Sequence, residues 1–269
     1  MSEEKEFSIW EEIDAVRAII LRSLGAVVAF MIVFFIFKDF VFDKIIFAPT
    51  KPGFIFYTWL CKLSQLSGLS ESLCFEPIEF RKIALGFAEA FIMHIKASFF
   101  LAILIVFPYF VTQLAFYASK RFKAVAKLPR LILAGCILFY SGVAFGYIVI
   151  TPLATNFLIG YNLPGVVNNP TLQSYLSYII MFTVPTGVLF QLPLVIYFLA
   201  EGGLVTASFL RSHRRHAIVL ILAVSAIVTP TVDVVSQLLV AGPLWVLFEI
   251  SIFIAKRVEK RQLAEENED

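Results

Sequence analysis

Ionisable and amide side chains set within long apolar runs are the residues of this chain best placed to do chemistry. A charge left unpaired in hydrocarbon costs on the order of several kcal/mol, so it persists only with a partner or a task. His94 and Lys96 lie near one end of such a run, where a long side chain reaches the interface, and a structural role fits them best. Gln191 sits between Pro185 and Pro193 in another run; a neutral amide there either hydrogen-bonds a neighbouring helix or marks a partner site. Glu249, upstream of Lys256, either reaches the interface or pairs with another helix. His213 and His216 flank Arg214 and Arg215, a segment with too few ligands for a metal, and read as a basic interface. The chain has no phosphate loop, dinucleotide fingerprint, HExxH helix or convergent Ser, His and Asp set. Neither ATP hydrolysis nor proteolysis therefore has a visible site.

The elements that position these residues follow from composition. Of 269 residues, 59% are apolar and 16% charged, so lipid is the principal solvent and the fold class is an all-α, polytopic membrane bundle. A net charge of +2, with bases in short clusters beside apolar runs, argues against nucleic acid. A helix needs about 20 apolar residues to cross about 30 Å of hydrocarbon. The runs predict spans over residues 19–37, 91–116, 131–150, 175–200, 217–228 and 234–255. The fifth covers only roughly 18 Å at about 1.5 Å per residue, short for a crossing. Pro185, Pro193 and Pro243 remove helical hydrogen bonds and should bend their spans toward a concave wall. The first run is too long for a signal-peptide core and should remain as a span. Residues 38–90 should form an ordered cap outside the membrane. Cys61 and Cys74 share that loop, where the sequence allows either a bridge in an oxidising compartment or two free thiols.

Lys and Arg counts set the orientation, because segments flanking spans on the cytoplasmic side carry the positive excess. Lys120, Arg121, Lys123, Lys127 and Arg130 follow the second span with no acid among them. Arg211, Arg214 and Arg215 follow the fourth, and Lys256, Arg257, Lys260 and Arg261 follow the sixth. Residues 151–174 carry no charge, and the turn after the fifth span carries only Asp233. Both termini and the tail at 256–269 are therefore expected in the cytoplasm, with the long first loop periplasmic and the chain in a bacterial inner membrane.

Thr229-Pro230, followed by Asp233, Ser236-Gln237, Pro243 and Phe248-Glu249-Ile250, resembles the fifth and sixth spans of the TatC family, the multi-span receptor component of the twin-arginine protein translocase. Phe145-Gly146-Tyr147 with Thr151-Pro152-Leu153 is similar to the end of that family's third span. Phe190-Gln191-Leu192-Pro193 is similar to its fourth, with Gln191 in a position often held by Glu, and Phe107-Pro108-Tyr109 with Gln113 is similar to the end of its second. The resemblance implies a glove-shaped six-helix receptor that binds the Arg-Arg motif of signal peptides at its cytoplasmic face. It further implies assembly, as a homo-oligomer within a complex, with single-span TatA- and TatB-type proteins to export folded cargo, without an enzymatic site of its own and without a cofactor.

Two guanidiniums call for fixed carboxylates that form charge-assisted bidentate bonds. Ala15 stands where the family carries a Glu, so Glu11, Glu12 and Asp14, with Arg17 and Gln113, are the peptide-binding candidates. The first cytoplasmic segment departs further, with Ala115, Lys120-Arg121 and Ala126 at family signature positions. Partner-helix candidates are Gln191, Pro193, Thr229, Pro230, Asp233, Gln237 and Glu249. Two other readings stand beside the receptor. One is a TatC-like scaffold without signal-peptide binding. The other is a small-solute transporter or channel, which would call for an internal repeat and several midplane charges, and neither is visible.

Overall fold

The computed structural model describes residues 9–66, 83–121, 128–161, 164, 170–229 and 234–266. Nearly all of them are helical. The elements are α1 (Ile9–Ile36), α2 (Lys38–Phe40), α3 (Ile55–Leu66), α4 (Glu89–Arg121), α5 (Leu128–Ala144), α6 (Thr151–Gly160), α7 (Leu172–Leu189), α8 (Leu192–Glu201), α9 (Ala207–Ser212), α10 (Arg214–Val228) and α11 (Val234–Glu266). A π-helical stretch (Val41–Ile46) follows α2, and a second (Phe145–Ile150) joins α5 to α6. Among the described residues, five stretches are long and apolar enough to cross a membrane: Val16–Ile36, Glu89–Tyr117, Leu128–Gly160, Leu172–Glu201 and Val234–Ala264. The sixth apolar helix, α10, has 15 residues. It rises only about 22 Å, still less than the hydrocarbon thickness, although it starts at Arg214, ahead of the run at 217–228.

Several ends differ from expectation. The third span does not stop at Ile150 but continues to Gly160. Pro152 is tolerated because it stands in the first turn of α6, where a missing N–H costs little, and the π-helical stretch ahead of it shifts the hydrogen-bond register. Thr151 helps by donating both its N–H and, at 2.8 Å, its Oγ1–H to the carbonyl of Gly146. The fourth span is two helices with a break at Phe190 and Gln191. Pro193 therefore opens α8 instead of bending a continuous helix, while Pro185 and Pro243 do lie inside α7 and α11, as Pro108 does inside α4. The predicted tail is helical to Glu266. At 33 residues α11 rises about 50 Å, well beyond the hydrocarbon thickness.

Packing between α5 and α7 depends on glycine. A Cβ on Gly146 would lie 2.1 Å from the Phe182 carbonyl oxygen, and one on Gly142 would lie 2.8 Å from that of Thr186. Gly187 returns the arrangement, with Val143 at 2.7 Å from its missing Cβ. Lipid gives helices no hydrophobic reason to associate, so such close backbone approach supplies the van der Waals contact instead. On the loop side, part of the first loop folds back as a cap. Tyr147 Oη donates to the Ile45 carbonyl, Tyr175 Oη to that of Ile46 at 2.9 Å, and Tyr57 Oη to that of Pro49 at 3.3 Å. Val41 and Ile46 are buried there with Met93, Ala97, Leu176 and Ile179.

Candidate functional site

The peptide-binding candidates lie on α1 and α4, which pack antiparallel. The Phe35 ring stacks on His94, centroids 4.2 Å apart, and meets Phe91 edge-on at 6.0 Å. Two turns back along α1, Val27 packs with Ala102 and Val106. Continued at the helical rise, this register brings Gln113 roughly level with Ile19, with Arg17 about half a turn and Asp14 about one and a half turns beyond it. Asp14 and Arg17 are exposed and Gln113 is half-buried. Glu11, Glu12 and Ala15 share the α1 backbone, with side chains outside those described. Lys120 and Arg121 end α4, Ala115 is buried within it, and Ala126 lies outside the described residues.

The partner-helix candidates are scattered, and each is held by its own helix joint. Gln191 Nε2 donates to the Gly135 carbonyl at 2.9 Å, bridging the α7–α8 break to α5. A Cβ on Gly135 would crowd the Val111 and Leu194 side chains, at 3.0 and 3.2 Å, while the Gln191 amide oxygen would stay at an ordinary 3.7 Å. Gln237 Nε2 donates to the Leu222 carbonyl at 2.9 Å, tying the start of α11 to α10. Glu249 pairs across helices, its Oε2 at 2.7 Å from Arg214 Nη2. Pro193 and Thr229 are buried, and Pro230 and Asp233 lie outside the described residues. His94 and Lys96 divide: the imidazole sits between the rings of Phe35 and Phe42, and the ammonium is exposed. Cys61 is disulfide-bonded and Cys136 is free, while Cys74 lies outside the described residues. Among the described residues no group of three His, Cys, Asp or Glu is placed to hold a metal.

Three carboxylates that sequence reasoning missed prove to fasten helix ends. Glu89 is buried and accepts the backbone N–H groups of Leu85 (2.6 Å), Gly86 (3.1 Å) and Gln173 (3.1 Å), joining the starts of α4 and α7. Glu201 receives Arg261 Nη2 at 2.5 and 2.7 Å, and Gln262 Nε2 donates to its carbonyl at 3.0 Å. Glu259 Oε1 accepts the N–H of Ala207 at 2.6 Å. The last two hold the α8–α9 turn against the far end of α11. Their only sequence signal was an acid next to Gly202-Gly203 facing a tail counted merely as charge. On the cap, Asp43 lies 2.7 Å from Lys51 Nζ, and that hydrogen-bonded ammonium holds its carboxyl below the usual range.

Fold and site together define a polytopic helical membrane protein whose polar groups lie at helix joints and helix ends, with no convergent reactive set among the described residues. A family model described as Sec-independent protein translocase protein (TatC) matches residues 11–243. The chain belongs to the TatC family, a component of the protein translocase. The protein of that name from Carboxydothermus hydrogenoformans is 28% identical over 268 residues, covering 98% of this chain and 99% of the relative. That from Desulforapulum autotrophicum is 30% identical over 276 residues, covering 100% and 92%. One from Helicobacter pylori (strain J99) is 37% identical over 189 residues, covering 69% and 75%. A crystal structure described as the twin-arginine translocase receptor TatC, in the detergent DDM, superposes with a TM-score of 0.70 at 26% identity, covering 90% of this chain and 98% of that one.

Proposed function

We propose that this chain is the signal-peptide receptor of a twin-arginine translocase in a bacterial inner membrane, with both termini in the cytoplasm. The observation that carries the reading is the antiparallel α1–α4 register, which gathers Asp14, Arg17 and Gln113 at one end of the bundle. Glu11, Glu12 and Asp14 supply the carboxylates for the paired guanidiniums. The disulfide at Cys61 supports the orientation, because such bonds persist on the oxidising side, and Cys74 is its proposed partner. Gln191, Pro193, Thr229, Pro230, Asp233, Gln237 and Glu249 belong to or border the α7–α8 and α10–α11 joints, and single-span TatA- and TatB-type helices dock beside those joints. The receptor has no catalytic centre or cofactor and works as a homo-oligomer within the complex.

Photo-crosslinking the purified full chain to a twin-Arg signal peptide and to its Lys-Lys variant tests this reading. Preferential labelling by the Arg-Arg peptide is expected, weakened by Glu12→Gln with Asp14→Asn. Equal labelling defeats the receptor and favours a TatC-like scaffold without peptide binding. That second reading draws on the five bases and absent acids between the second and third spans.

A further inference from the structure

Where α9 turns into α10, residues 211–216 are all exposed and include Arg211, Arg214 and Arg215. Packing and two polar contacts fix this segment against α11. Ala207 and Leu210 of α9 are buried in one core with Ile252, Ala255 and Val258 of α11. The Ala207 N–H reaches Glu259 at 2.6 Å, and Arg214 reaches Glu249 at 2.7 Å. Thus α9 and the start of α10 lie along α11 between residues 249 and 259. On α11, Lys256 and Lys260 follow Glu249 at i+7 and i+11, the spacing of one helix face, and both are exposed. The two carboxylates in this region are committed, Glu249 to Arg214 and Glu259 to a backbone N–H. The exposed Arg211, Arg215, Lys256 and Lys260 outnumber them.

The same faces turn apolar within about one turn toward the middle of the bundle. On α10 the exposed residues become Val219 and Leu220; on α11 they are Val246, Ile250 and Phe253. Two adjacent helices therefore switch from exposed hydrocarbon to exposed cations at a common level, tied there by the Arg214–Glu249 pair. That is the level at which acyl chains give way to phosphodiesters. We propose that this corner binds an anionic phospholipid, its headgroup phosphate held between Arg211 and Arg215 on one side and Lys256 and Lys260 on the other, with its chains along Val219 and Phe253. Charge complementarity and continuity with the lipid-facing band select a lipid over a soluble anion.

The test uses the delipidated full chain in a neutral detergent, titrated with phosphatidylglycerol or phosphatidylcholine, with bound lipid counted by native mass spectrometry. Phosphatidylglycerol should be retained at least about tenfold better, each neutralised cation costing about fivefold, so that Arg211→Gln with Lys256→Gln loses about 25-fold. Lys38→Gln with Lys44→Gln, near the opposite ends of the spans, should change nothing. If the first pair unfolds, Arg215→Gln with Lys260→Gln replaces it. Equal retention of the two lipids, or an unchanged preference in a folded corner variant, overturns the proposal. So does full displacement of the lipid by inorganic phosphate at equal phosphorus. Detergent has no sides, so the result is independent of the orientation and of the signal-peptide reading above.

Discussion

Replacing Gly146 with alanine adds one carbon at the tightest joint of the bundle. The new Cβ would stand 2.1 Å from the Phe182 carbonyl oxygen, 3.0 Å from the Phe182 carbonyl carbon and 3.0 Å from the Thr183 Cα. Ordinary contact begins at 3.4 Å, so α7 must retreat by about 1.3 Å. All three obstacles are backbone, and no rotamer change relieves them. Overpacking typically costs about 1–3 kcal/mol, and a clash with a helix backbone belongs at or above the top of that range. The retreat also strips contact from Gly142 and Gly187, which rely on the same approach. For a chain this size about 3 kcal/mol corresponds to roughly 6–12 °C in Tm, readable by thermal unfolding in detergent. Gly25→Ala is the matched control: its Cβ meets nothing within 4 Å, and alanine is the better helix former by about 1 kcal/mol. An unchanged Tm for Gly146→Ala, or a gain like that expected of Gly25→Ala, would refute the close-approach argument.

Gln191→Leu removes the bridge to Gly135 and should cost about 0.6–2 kcal/mol, while Gln191→Glu should cost more, because a carboxylate facing a carbonyl must first take up a proton; unfolding in detergent compares them. Reducing the disulfide at Cys61 should destabilise the fold by about 2–4 kcal/mol, seen as a lower Tm with reductant in the wild type and no reductant effect in Cys61→Ser. Asp43, held below its ordinary pKa by Lys51, stabilises the folded state above the unfolded carboxyl's pKa of about 3.9 and ceases to do so as pH falls through the folded value. The Tm difference between wild type and Asp43→Asn should therefore hold from pH 6 down to the unfolded carboxyl's range and shrink progressively on further acidification.

The spans were legible because lipid imposes one dominant rule, internal satisfaction of every backbone group, and apolar length reports it directly. The short α10 followed from the same arithmetic. What the runs of apolar residues could not tell was how the backbone behaves around prolines. Pro152 and Pro193 look alike in sequence, yet one continues a span through a π-helical stretch and the other restarts a helix after a break. The difference lies in two side-chain bonds, one local and one tertiary: Thr151 reaching back five residues to Gly146, and Gln191 surrendering its side chain to Gly135 instead of capping α8. The carboxylates of Glu89, Glu201 and Glu259 were overlooked for a related reason. Each finds a partner more than 50 residues away, and loop charge counting treats such groups as solvated.

The Arg214–Glu249 pair allows the energetic role of a membrane charge to be separated from its mere presence. Glu249 lies about 22 Å along α11 from Val234, near one edge of the hydrocarbon, and its side chain is 28% exposed. Arg214 opens the short α10 at the same level and is 49% exposed. The two losses should not be symmetric. Without Glu249, the arginine has a long stem and can carry its charge outward to the headgroups. Without Arg214, the shorter carboxylate has no comparable reach and stays at the apolar boundary unpaired. Arg214→Gln should therefore cost about 1–2 kcal/mol and Glu249→Gln less than about 1, with the double variant close to Glu249→Gln alone. Equal single losses that add in the double variant would mean the pair is an ordinary exposed ion pair. In that case α10 would be held to α11 by packing and Gln237 alone.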